Sequence, residues 1–361
     1  MFRRALSRLR RALSAVGGAT SADALIGIDA VSFGDGASAS GRPARRRAPR
    51  FPQQIRFPPE AAIRESARRP SGGRCDTGRM TSDLIAVTGA TGQLGRRVAH
   101  RLAAAGVDQR LVVRDTSRAP DLPGAHAVAA AYEDADALRA ALDEVQTLLL
   151  VSATETAGRV ALHTSAVDAA LDAGVSRIVY VSFLGAAPDA TFTFARDHWH
   201  TEQHIRESGV RFTFLRNSLY MDLVPYFVGE DGVIRGPAGQ GRAGMVARDD
   251  IADVAAVVLR EHGHDGVTYD VTGPRALTMA EAAETITRVT GKPTRYHAET
   301  IEEAYASRAR YGAPEWEVAG WVTSYAAIAA GELDVVTDTV EKVAGHPPMN
   351  FAEYLSTTSA V

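Results

Sequence analysis

Cysteine is almost missing from the 361 residues: Cys75 is the only one, so no intrachain disulfide can form and no cysteine-rich metal site can be assembled. A reducing cytoplasm is the expected compartment. No apolar run reaches the roughly 18 residues that cross a bilayer as a helix, so no membrane span is expected. Lysine is nearly as scarce, with Lys292 and Lys342 alone among many arginines, a skew typical of a GC-rich coding sequence. The Gly-x-Ser-x-Gly elbow of serine hydrolases is absent, and so is His-Glu-x-x-His. His198, His200, Glu202 and His204 do cluster, with His200 and His204 one helical turn apart, but no spacing supplies further ligands. They read as a polar helix face, and no metal is expected.

Charge is also missing as a net quantity, at -3, yet it is unevenly spread. Residues 1–79 hold 16 arginines against 6 acids, a surplus of +10, whereas the rest holds 24 basic against 37 acidic residues, or -13. An acidic globular part repels phosphate backbones, so no nucleic-acid partner is expected. The first 79 residues mix clusters such as Arg45, Arg46 and Arg47 with Ala, Ser, Gly and Pro, and show no sustained hydrophobic period. This extension is expected to be disordered. It reads as a transit peptide, as a basic arm, or as sequence translated from upstream of a start at Met80. The third reading is favoured, because Met80 stands just before the first strand and GC-rich sequence readily yields such extensions.

What is present from residue 80 onward is alternation. Short apolar runs at Leu84–Thr88, Leu111–Val113, Thr147–Val151, Ile178–Ser182, Phe212–Leu215 and Val267–Val271 are mostly separated by room for a helix. Parallel strands need such crossovers, so the pattern predicts an α/β fold with a Rossmann-type doubly wound parallel sheet. Helices over 95–105, 161–173 and 198–208 should stop at Gly106, Gly174 and Gly209. The expected division is a dinucleotide-binding domain over 80–273, with an excursion at about 220–246, and a smaller, mostly helical lid over 274–361.

The most specific local signal is Ile85-Ala86-Val87-Thr88-Gly89-Ala90-Thr91-Gly92-Gln93-Leu94-Gly95, an apolar strand, a Gly-x-x-Gly-x-x-Gly turn and a helix start. Gly89 permits the turn, Gly92 lets backbone approach a pyrophosphate, and Gly95 lets the helix pack on the strand. Amides from Thr91 to Leu94, including Gln93, then face an anion at the helix N-terminus. At the end of the second strand, where a carboxylate would accept from the ribose 2'-hydroxyl of NAD, stands Arg114. A guanidinium suits a 2'-phosphate, with Arg118 as a second cation and Asp115 as a rival carboxylate. NADP(H) is the preferred cofactor and NAD(H) the second choice.

These residues, with Leu148-Leu149-Leu150-Val151-Ser152, Arg159, His163, Val179-Tyr180-Val181-Ser182, Glu202, Leu215–Tyr220 and Ala344-Gly345-His346-Pro347, form an ordered series over about 84–355. It resembles the atypical short-chain dehydrogenase/reductase branch of NmrA-like proteins and type 2 NAD(P)H:quinone oxidoreductases. The resemblance implies that Ser152 and Ala153 border the cofactor, that Ser182 and Phe183 lie beside the nicotinamide, and that Asn217, Tyr220 and the lid line the substrate pocket. Two departures stand out. Many relatives carry Asp after the third strand near the adenine, where this chain has Ala131 and Tyr132. The superfamily's Tyr-x-x-x-Lys pair is absent, with Phe194 and His198 at that spacing, which argues against alcohol oxidation by a tyrosinate.

Hydride transfer to a quinone or similar flat carbonyl needs alignment more than an acid, so it survives this loss. Phe183, Phe194, Trp199, Tyr220 and Tyr226 are candidates for an aromatic slot, with packing as the alternative for each. His198 and Ser182 are candidate catalytic groups, with a surface or structural role as the alternative for His198 and contact with cofactor or substrate for Ser182. The leading expectation is an NAD(P)H-dependent oxidoreductase acting on a small aromatic or quinone acceptor. The alternative is a non-catalytic NmrA-like nucleotide sensor, and a homodimer or a protein partner fits either.

Overall fold

The computed structural model describes residues 84–359, which fall within one compact unit. The expectations for residues 1–79, including Cys75 and the start at Met80, lie outside the described residues.

Seven parallel strands form the central sheet: β1 (Ile85–Thr88), β2 (Gln109–Val113), β3 (Ala125–Ala129), β4 (Thr147–Leu150), β5 (Arg177–Phe183), β6 (Arg211–Asn217) and β9 (Val267–Val271). Their order is β3-β2-β1-β4-β5-β6-β9. The central strands β1 and β4 are buried at every position, because both sheet faces are covered. Leu148 and Leu150 of β4 point to one core and Leu149 to the other, and Ile178 and Val179 of β5 divide in the same way.

The six strands read from sequence are all present, with ends shifted by up to two residues. The seventh, β3, has the sequence Ala-His-Ala-Val-Ala and lies half exposed at the sheet edge. It lacks the run of large β-branched residues that marks its neighbours.

Five helices cover the sheet: α1 (Gln93–Ala104), α2 (Ala135–Ala141), α3 (Arg159–Asp172), α4 (Thr193–Glu207) and α5 (Arg248–Arg260). Val98 and Leu102 of α1 and Ile251, Val254 and Val258 of α5 pack on one face. Leu138, Val167 and Ile205, from α2, α3 and α4, pack on the other. Gly106, Gly174 and Gly209 follow α1, α3 and α4 at φ of 72°, 84° and 74°, so the three expected helix stops are where glycine's left-handed backbone is needed.

After β6 the chain leaves the sheet. Met221–Phe227 forms a 3-10 turn, and β7 (Val233–Gly236) and β8 (Arg242–Ala243) precede α5. Beyond β9 come β10 (Leu277–Thr278), α6 (Met279–Thr290), β11 (Arg295–Ala298), α7 (Ile301–Ala309), α8 (Glu315–Ala329) and α9 (Phe351–Ser359). The strand β11 pairs parallel with β7, and β10 pairs antiparallel with β8. Excursion and C-terminal segment therefore build one layer, with Val224, Ile234, Met279, Ile286, Ile328 and Phe351 in a shared core. Capping boxes at Thr278/Glu281 and Thr300/Glu303 start α6 and α7. The layer is mostly helical, as expected, but its two ribbons were not legible in sequence. Their partners lie more than 30 residues apart.

Candidate active site

The strand order turns back between β1 and β4, and in open α/β sheets ligands bind in the crevice at the carboxyl ends beside such a point. On one side of this crevice lies the glycine turn. Gly89 sits at φ 61°, and the Gly92 amide donates to its carbonyl at 2.8 Å. A Cβ on Gly95 would stand 2.4 Å from that same carbonyl oxygen, so only glycine lets α1 come this close. No side chain caps the helix and no acidic residue occupies its first turn. Its leading amides are thus left for an anion, which a dinucleotide pyrophosphate fits.

Thr88 Oγ1 donates to the Leu149 carbonyl at 3.0 Å and accepts from the Val151 amide at 2.9 Å, locking β1 to β4 below the turn. Tyr132, which follows Ala131 at the position where relatives were expected to carry Asp, places its hydroxyl 2.6 Å from both Thr88 Oγ1 and the Val151 carbonyl. This residue braces the strand ends.

Arg114 is exposed just past β2. Asp115 is turned toward its own loop, where it accepts from the Ser117 amide at 3.0 Å and hydroxyl at 2.7 Å. Those hydrogen bonds hold its carboxyl below the usual range. The rival carboxylate for a ribose hydroxyl is engaged by its own loop, and Arg114 is exposed beside it. Arg96 of α1 ties the loop down through the Arg118 carbonyl at 3.2 Å.

On the other side of the crevice is a cavity of about 170 Å³. It brings together Ser152, Ser182, Phe183, Phe194, His198 and Tyr220, all expected from sequence. Phe192, Phe227 and Tyr325 also line it and were not anticipated. Phe183 and Phe192 meet at 5.1 Å between ring centroids, and Phe192 and Phe194 at 5.5 Å, giving a continuous aromatic wall. Phe192 adjoins Phe194 in the run Phe-Thr-Phe, a signal sequence reading had available. Tyr325 carried none, because it arrives from α8, where its ring packs on Gly236.

Three expected residues are placed elsewhere. Trp199 follows His198 on α4, about 100° around the helix, and its ring lies against His200 at 4.9 Å instead of lining the cavity. Tyr226 is 48% exposed while its neighbour Phe227 turns inward. Asn217 is fully buried behind the wall, its Nδ2 donating to the Tyr220 hydroxyl at 3.5 Å. Ala153 contributes only backbone: its amide donates to His163 Nε2 at 2.8 Å and its carbonyl accepts from Arg159 Nε at 2.9 Å.

Beneath the cavity lies a buried polar network. Arg159 Nη2 donates to His198 Nε2 at 3.2 Å, because a guanidinium can only donate. The His198 proton therefore sits on Nδ1 and points to the Tyr180 hydroxyl at 2.9 Å. In His163, Nε2 accepts from Ala153, so Nδ1 donates to Thr201 Oγ1 at 2.9 Å. Burial first, and the Arg159 charge second, push the His163 pKa down to about 3 and that of His198 well below its usual value. As a cationic proton donor His198 is poorly equipped, since both ring nitrogens are engaged and the ring is neutral at pH 7. Ser182 donates to Glu202 Oε1 at 2.6 Å, and Arg216 holds that carboxylate through Nε at 2.8 Å and Nη2 at 2.6 Å. The Ser182 oxygen thus offers lone pairs, not its proton, to the cavity. The suspected histidine cluster also disperses: His204 pairs with Asp168 at 2.6 Å, away from His198.

A doubly wound sheet, an uncapped glycine turn and an adjoining aromatic cavity define the class: a dinucleotide-dependent reductase. Residues 89–262 match the NAD(P)H-binding family. The chain is 33% identical to the NAD(P)H azoreductase of Xenophilus azovorans over 77% of its own length and 98% of that protein's. A crystal structure of the NADPH-dependent quinone oxidoreductase of Escherichia coli, complexed with NADPH, aligns with a TM-score of 0.70 at 33% identity, covering 76% of this chain and 99% of that one. The negative transcriptional regulator NmrA shares the fold, with a TM-score of 0.63 at 15% identity. The chain belongs to the NAD(P)H-binding oxidoreductase family. It binds NAD(P)H and is an NAD(P)H-dependent oxidoreductase acting on a small molecule. Among the described residues no helix is long and apolar enough to cross a membrane.

Proposed function

We propose that the chain reduces a quinone or similarly flat carbonyl acceptor, with NADPH preferred over NADH. The observation that carries this reading is the aromatic cavity beside the glycine turn, bounded by Ser152 after β4, Ser182 in β5 and Tyr220 after β6. A bound nicotinamide coenzyme supplies hydride there. Amides at the start of α1 hold the pyrophosphate, and Arg114 pairs with the 2'-phosphate. Ser182, oriented by Glu202, would offer its lone pairs to the coenzyme carboxamide. Phe183, Phe192 and Phe194 form the wall against which the acceptor packs, and the neutral His198 packs at 28° to Phe183 with centroids 6.2 Å apart. Positioning carries the reaction, and solvent protonates the reduced oxygen.

Mixing the purified full-length protein with NADPH and a panel of quinones should give steady loss of nicotinamide absorbance. Binding of NADPH without oxidation by any acceptor would remove the reductase reading and leave that of a nucleotide sensor. The alkanoyl-furanone phosphate reductase of Streptomyces griseus, 34% identical over 75% of this chain, marks a butenolide as a useful member of the panel.

A further inference from the structure

Arg159 is the first residue of α3, is only 3% exposed, and borders the cavity. Two of its nitrogens are fixed by neutral partners, the Ala153 carbonyl at 2.9 Å and His198 Nε2 at 3.2 Å. Its Nη1 is buried with no hydrogen-bond partner. The Asp197 carboxylate lies 3.8 Å from Nη1, beyond hydrogen-bond reach. Asp197 balances the charge as an ion pair but leaves that N–H without a hydrogen-bonded acceptor, and a buried donor left unsatisfied is costly unless a ligand completes it. The surrounding wall is largely aromatic, which strengthens any charge-assisted contact made inside it.

We propose that Arg159 Nη1 is an oxyanion-binding group of the acceptor cavity, so that preferred acceptors are flat rings carrying a sulfonate or carboxylate. The inference rests on the reductase reading above and names its substrate class. No bond is made or broken at Arg159; the guanidinium fixes one edge of the ring while the aromatic wall fixes its plane. Glu155 lines the same cavity from the irregular segment that leads into α3, and its charge opposes a bound anion.

The test compares an uncharged naphthoquinone with its ring-sulfonated counterpart at saturating NADPH, in the wild-type protein, Arg159→Gln and Glu155→Gln. The sulfonated-to-uncharged ratio of kcat/KM should fall by about tenfold or more in Arg159→Gln, chiefly through KM, and rise in Glu155→Gln. Taking the ratio between proteins cancels the difference in acceptor potential. An unchanged ratio in folded Arg159→Gln would overturn the proposal, as would equal weakening of NADPH and both acceptors. Should that variant fail to fold, wild-type inhibition decides: naphthalene sulfonate should compete with the acceptor about tenfold better than the uncharged sulfonamide. Equal inhibition would overturn it. Reduction of the uncharged quinone without charge preference would sink this inference and leave the reductase reading standing. Competitive sulfonate binding without any quinone turnover would do the reverse.

Discussion

The glycine turn and the acceptor cavity face each other across one crevice, yet they are built in opposite ways. The turn is eight consecutive residues, Thr88–Gly95, whose working groups are backbone amides. The cavity draws side chains from positions as far apart as Ser152 and Leu333. A backbone site depends on one strand-turn-helix and tolerates almost no added volume. A side-chain site depends on how the lid docks, and its members share the load. Substitutions should separate the two accordingly.

The largest effect is expected at the turn. Gly95→Ala puts a methyl 2.4 Å from the Gly89 carbonyl, so it should cost about 3 kcal/mol and abolish NADPH binding, read by thermal unfolding and calorimetry. Retained affinity would show that the helix can slide.

Next comes the pH response of the network under the cavity. His163 titrates at about 3 in the folded chain, and its usual value is 6.5, so the unfolded chain takes up protons first as pH falls. Stability from this group is complete above pH 6.5 and should drop by about 2 kcal/mol by pH 5. His198 adds to the loss. Asp250, raised by burial to about 6, works in the opposite sense, since it is less costly when protonated. The check is therefore the slope of melting temperature against pH, which His163→Asn should flatten relative to wild type.

A smaller change is expected from Arg114→Ala, which should lower NADPH affinity by about tenfold and leave NADH nearly unaffected. Equal loss of both would relocate the 2'-phosphate site. In the cavity, Phe192→Ala should raise acceptor KM by about fivefold without altering the coenzyme Kd, because two neighbouring rings remain. A change in coenzyme affinity would mean that the two sites are not separable. Smallest of all, Tyr226→Ala should leave stability within about 0.5 kcal/mol and acceptor KM unchanged.

Legibility followed the same divide. Gly89, Gly92 and Gly95 and the stops at Gly106, Gly174 and Gly209 could be read because each answers a local backbone need. Phe183, Phe194, His198 and Tyr220 were found because they sit at strand ends or just beyond, or on the helix crossing those ends. Trp199 and Tyr226 were misplaced because aromatic character does not say which way a ring points. Phe227 and Tyr325 were missed because only lid docking brings them to the cavity. His198 was read as a proton donor from its ordinary titration range, which burial under the Arg159 charge removes.

Sequence by itself determined the α/β alternation, the anion-binding turn and the absence of a tyrosine-lysine pair. Each is a property of neighbours along the chain, set by backbone geometry and hydrophobic period. Only tertiary structure decided that Ser182 gives its proton to Glu202, that His198 stays neutral, and that Arg159 keeps one nitrogen without a hydrogen bond. Protonation and hydrogen-bond direction depend on burial and on charges brought close in space, and residues far apart in sequence supply both.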